Sequence, residues 1–85
     1  MQVAVFDTYV RTTSGVLMHF DILVPINIEP KQVYTYGRAY LDLKGVEYSQ
    51  LSTNECRFCH IEQAGELVVD SIERQGYFIL ELDNC

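Results

Sequence analysis

One alternation fixes most of what this chain can become. Val16, Met18, Phe20, Ile22 and Val24 recur at every second position, and Phe6 and Val10 share one parity in the stretch before them. Period two is the mark of a strand with one buried face. Residues 2–12 and 16–24 therefore read as two strands, with Thr13-Ser14-Gly15 between them. Partners in an antiparallel pair share a face, so Val10 must oppose Met18 and Phe6 must oppose Ile22. That register needs an odd number of residues in the connection, and three residues ending in glycine supply it. Gly15 takes the left-handed position of a bulged turn.

The same register sets Tyr9 opposite His19 and Asp7 opposite Asp21 on the second face. A histidine beside two carboxylates has donor types that hold metals or tune a proton. One histidine and two carboxylates fall short of the four ligands of a structural zinc site. The plainer reading is a half-exposed sheet face, where polar groups belong. Val3, Val5, Leu17 and Leu23 lie on that face too, and its mixed character suits a weak dimer or a partner surface.

Pro25 ends the second strand because it has no N–H for the ladder. Asn27 or Glu29 is placed to cap a helix, with Pro30 in its first turn. From Lys31 to Lys44 the residues Val33, Tyr36, Tyr40 and Leu43 recur at helical spacing, and Gly45 stops the run. Gly37 within it lowers helix propensity and permits close approach of the sheet. The tyrosine stripe reads as core packing with hydroxyls at the rim. Val46 to Asn54 reads as a polar connection with an extended piece at Glu47–Leu51. The cysteine stretch continues as a strand to about Gln63. Glu66 to Gln75 reads as a second helix burying Val68 or Val69 with Ile72, stopped by Gly76. Phe78, Leu80 and Leu82 alternate in a final strand.

The order is β-β-α-β-α-β in a single domain, residues 1–85. The expected fold is α+β, a two-layer sandwich with a four-stranded mixed sheet and both helices on one face. Eighty-five residues hold one core, and 48% apolar content with six Tyr and four Phe suffices to build it. A net charge of −6 with only six scattered Lys and Arg excludes a nucleic-acid surface. No stretch reaches the roughly 20 apolar residues that span a bilayer. Met1–Phe6 lacks the basic start of an export signal and is followed by Asp7, so a cytoplasmic location is expected. Three cysteines, an odd number, then stay reduced.

Cys56-Arg57-Phe58-Cys59-His60 is the stretch with most chemical content. Cys-x-x-Cys-His is the pattern of covalent haem attachment, but that chemistry belongs outside the cytoplasm and no second axial ligand is evident. Zinc is the better alternative: Cys56, Cys59, His60 and Cys85 offer three sulfurs and a nitrogen, with His19 in reserve. A chelating C-x-x-C needs a tight turn, and Arg57-Phe58 contains no glycine to ease one. In a straight strand Cys56, Phe58 and His60 share one face while Arg57, Cys59 and Ile61 share the other, and the two sulfurs part. Thiol redox chemistry needs a helix N-terminus or a cation near the sulfur, which Arg57 or His60 would supply. The reading adopted is a straight strand with cysteines that pack. No phosphate loop, nucleophile elbow or His-Glu-x-x-His is present, so no catalytic residue is assigned.

Phe6-Asp7-Thr8-Tyr9-Val10, Met18-His19-Phe20-Asp21-Ile22-Leu23-Val24, Glu55-Cys56-Arg57-Phe58-Cys59-His60-Ile61-Glu62 and the final Cys85 together resemble a family of short, uncharacterised bacterial domains of unknown function. The resemblance covers nearly the whole chain. It implies a compact α+β domain of bacterial cytoplasmic origin, with no established activity and no catalytic residues to transfer. The expected function is a small binding or interaction domain, monomeric or weakly dimeric, with zinc or thiol redox chemistry at the cysteine stretch as the alternative.

Overall fold

The protein is described by a computed structural model over residues 1–52 and 55–85. Six elements follow in the expected order: β1 (Gln2–Arg11), β2 (Leu17–Pro25), α1 (Pro30–Lys44), β3 (Cys56–Gln63), α2 (Glu66–Gln75) and β4 (Phe78–Asp83). The β1–β2 hairpin has the register set by the alternation, with Val10 opposite Met18, Phe6 opposite Ile22, Tyr9 opposite His19 and Asp7 opposite Asp21. Thr12 N–H donates to the Val16 carbonyl at 2.8 Å, and Gly15 lies at φ 90°.

The sheet order is β3-β1-β2-β4, and every hydrogen-bonded pair is antiparallel. The expected mixed sheet is therefore incorrect. β2 and β3 do run in the same direction, but β1 lies between them and removes any parallel ladder.

The expectation of both helices on one face also fails. Ala4, Phe6, Val10, Met18, Phe20, Ile22 and Val24 pack with Val33, Tyr40 and Leu41 of α1. Val3, Val5 and Leu23, on the opposite face, pack with Ile72 and Val68 of α2 and with Phe78. Each face thus carries one helix. The reason lies in the sheet: apolar side chains on both faces near the start of β1 each need a cover. A helix of 10 residues is only about 15 Å long, against about 33 Å for a ten-residue strand. α2 consequently covers one half of its face and leaves the hairpin half open.

Within α1 the buried residues are Val33, Gly37, Tyr40 and Leu41, whereas Leu43 is 86% exposed. The stripe is rotated from the expected one because Leu51 enters the core from the following connection. A Cβ on Gly37 would lie 2.5 Å from Leu51 Cδ2 and 3.2 Å from Ile22 Cδ1, so the close approach expected at this glycine is realised. Tyr48 in the same connection bridges to Thr12. Thr53 and Asn54, the end of the expected polar connection, lie outside the described residues.

Both helices end on left-handed glycines, Gly45 at φ 71° and Gly76 at φ 97°. Gly76 is doubly constrained, since a Cβ there would also overlap the Tyr36 hydroxyl. Tyr36 is itself held by stacking on Tyr77, with centroids 4.5 Å apart. Gly76→Ala is expected to destabilise the fold by about 1–2 kcal/mol, read as a lowered urea midpoint with unchanged slope.

Candidate functional site

The open half of the second face holds Asp7 and Tyr9 from β1 and His19 and Asp21 from β2. The hairpin register alone brings them together. His19 Nε2 donates to Asp7 Oδ1 at 2.5 Å, and Nδ1 lies 3.8 Å from Asp83 Oδ2 of β4. The ring of Tyr9 stacks on the imidazole with centroids 4.1 Å apart and planes 8° from parallel. The imidazole is therefore oriented by its hydrogen bond to Asp7 and by an aromatic face, with the Asp83 carboxylate nearby.

Asp21 stands directly opposite Asp7, an arrangement that is unfavourable between two charged carboxylates. Partial burial, followed by the charge of Asp7 and a hydrogen bond with it, pushes the Asp21 carboxyl up from its ordinary value. His19 and His60 act in the opposite direction. Among the described residues, Asp7, His19 and Asp21 form the one group of three or more His, Cys, Asp or Glu donors within 4.8 Å of one another. One nitrogen and two carboxylate oxygens suit a divalent cation or a shared proton.

The cysteine stretch is placed differently. β3 runs as a strand through Cys56–Gln63, but its register against β1 shifts by one residue: Phe58 opposes Phe6 and His60 opposes Val5. Cys59 is the extra residue of a bulge. The expected alternation breaks there. Cys56, Phe58 and Ile61 lie on the α1 face, while Arg57, His60 and Glu62 lie on the α2 face. The side-chain partners agree, with Phe58 edge-on to Phe6 at 5.8 Å. No glycine or proline announces this bulge, which is why the sequence reads as straight.

All three cysteines are free. Cys56 is 2% exposed in the α1 core, where the Thr8 hydroxyl donates to its sulfur at 3.4 Å. Burial pushes its thiol up, against the weaker effect of Thr8, so it behaves as a packed side chain. Cys59 is exposed at the bulge. His60 shares a hydrogen bond with Glu62 at 2.8 Å. Cys85 lies against β2, its thiol donating to the His19 carbonyl at 3.3 Å. These four candidate ligands do not converge on one point.

Two features of the site carry no mark in the sequence: Asp83 beside His19, and Arg57 opposite Asp7. Both depend on which strands flank the hairpin. A second polar cluster sits at the far edge of the other face. There the Tyr40 hydroxyl donates to Glu81, and Lys44 Nζ lies 3.1 Å from the same carboxylate. These two donors hold Glu81 below the ordinary carboxylate range, while burial and then the bond to Glu81 raise Tyr40. Lys44 also donates to the Cys85 carbonyl at 3.1 Å, tying α1 to the chain end.

Asp21 is harder to ionise in the fold than in the unfolded chain, so its ionisation opposes folding above its folded pKa. The penalty is absent below the unfolded value near 3.8. Asp21→Asn should therefore stabilise the protein at neutral pH by a few tenths to about 1 kcal/mol. The gain should fade as unfolding is measured at successively lower pH. A thiol-exchange reagent should consume Cys59 and Cys85 at once and reach Cys56 only as the protein unfolds.

A family model described as a domain of unknown function (DUF2024) matches residues 1–82. The NMR structure of protein NE1680 from Nitrosomonas europaea, a structural genomics target, superposes with a TM-score of 0.88. The two are 36% identical over 100% of this chain and 99% of that one. A comparison with curated proteins finds no match. Family match and full-length structural likeness agree, and the chain belongs to this family of domains of unknown function.

Proposed function

We propose that this domain is a small binding module, and that its ligand is a divalent cation taken at Asp7, His19 and Asp21. The observation that carries the reading is the facing pair of aspartates on the two central strands, in contact with one oriented imidazole. Two carboxylates held face to face repel unless a proton or a cation lies between them. A divalent ion of the zinc or manganese class accepts this mixed oxygen and nitrogen set. Around a tetrahedral ion with bonds of about 2 Å the donors lie roughly 3.3 Å apart, a spacing reached by small side-chain rotations. The open face leaves remaining coordination positions to water or to a group on a partner.

A thiolate site at the cysteine stretch is supported less well, because Cys56 is sequestered and Cys59 points to solvent. Three free thiols and the acidic composition suit a cytoplasmic setting without nucleic-acid partners.

The test is a zinc and manganese titration of the full chain followed by NMR. The expected result is saturable shifts or paramagnetic broadening centred on residues 7, 19 and 21, lost in Asp7→Asn and Asp21→Asn and kept in Cys59→Ser and Cys85→Ser. No response at millimolar metal, or a response that follows the cysteines, overturns the reading.

A further inference from the structure

The outer edge of β3 is a long strand edge with no partner among the described residues. β3 lies at one end of the sheet, and seven of its eight residues are exposed. It carries no proline and no lysine, and its exposed side chains include Phe58 at 56% and Ile61 at 52%. Such an edge is a template for another strand. β4, at the opposite end, is shorter, and its acidic residues Glu81 and Asp83 have no basic counterpart on the strand, so two copies of it bring no opposite charges together.

The bulge gives β3 a property that its sequence lacks as a straight strand. In regular alternation Arg57 and Glu62, five positions apart, would point to opposite faces, as would Phe58 and Ile61, three apart. Strands related by a two-fold axis normal to the sheet pair only residues that share a face. The extra residue Cys59 brings Arg57 and Glu62 to the α2 face and Phe58 and Ile61 to the α1 face. Read outward from Cys59-His60, the strand is then apolar followed by charged in both directions, with opposite charges at its two ends.

We propose that β3 pairs antiparallel with β3 of a second copy of this chain, joining two four-stranded sheets into one. Cys59 and His60 flank the two-fold axis. Arg57 faces Glu62 of the partner subunit and Phe58 faces Ile61 of the partner subunit, each pair occurring twice by symmetry. The charge complementarity of the edge with itself selects a second copy over an unrelated strand. The interface meets the proposed cation site only at Arg57, which lies opposite Asp7; Phe58, Ile61 and Glu62 lie opposite Phe6, Ala4 and Val3, so Glu62→Arg and Ile61→Asp test the pairing away from that site.

Sedimentation equilibrium from micromolar to millimolar protein tests the pairing. The expected behaviour is a reversible monomer–dimer equilibrium. Arg57→Glu and Glu62→Arg should each weaken it by about tenfold, since either change turns both symmetric charge pairs repulsive. The double exchange should restore the wild-type constant to within about threefold, because each reversed charge again meets its opposite across the axis. Ile61→Asp, remote from Asp7, should also abolish the dimer, and amide spectra of every variant establish that the monomer is folded. A chain that stays monomeric at millimolar concentration overturns the proposal. So does a dimer indifferent to the single reversals, or a double exchange no better than the weaker single.

Discussion

Everything in this fold depends on Val10 meeting Met18 across a three-residue turn. That pairing, held by Gly15 in a left-handed conformation, decides which residues of β1 and β2 look toward α1 and which look away. A shift of β2 by one residue would expose Phe20 and Ile22 and turn His19 and Asp21 toward α1. The α1 core follows directly. So does the second face, apolar around Val3, Val5 and Leu23 and polar around Asp7, Tyr9, His19 and Asp21. A short α2 closes the apolar half and has no length left for the other.

The polar half is arranged against the stability of the hairpin that carries it. Asp7 and Asp21 face each other on the two central strands, where β-branched or aromatic pairs would contribute favourably. His19, held by Asp7 and stacked on Tyr9, offsets part of the repulsion, and Arg57 enters from the other side of Asp7. Local rules of sheet construction are broken where a site is expected, and the surrounding register is strong enough to tolerate it. A cation placed between the carboxylates relieves the same repulsion and so couples binding to stability.

The sequence makes the hairpin, its register, both helix stops and the order of elements legible, because each rests on local chemistry: period two, glycine at positive φ, helical spacing. The placement of α2 is less accessible. Val3, Val5 and Leu23 on the second face are the trace of it, yet a half-apolar face reads equally as a partner surface. The bulge at Cys59 carries no trace, since neither glycine nor proline marks it. It turns the expected faces of β3 around, sending His60 to the side of Arg57 and Glu62. Of the candidate residues, the Asp7–His19–Asp21 grouping follows from register alone. The separation of Cys56, Cys59, His60 and Cys85 follows from strand order and the bulge, which only the folded chain reveals.

The proposed cation site at Asp7, His19 and Asp21 rests on the hairpin register. Anomalous diffraction at the zinc edge, from crystals of the full chain equilibrated with zinc, locates the ion directly. One dominant peak is expected about 2.0–2.2 Å from carboxylate oxygens of Asp7 and Asp21 and from a ring nitrogen of His19. A peak centred on cysteine sulfur, or none on the second face of the sheet, would contradict it.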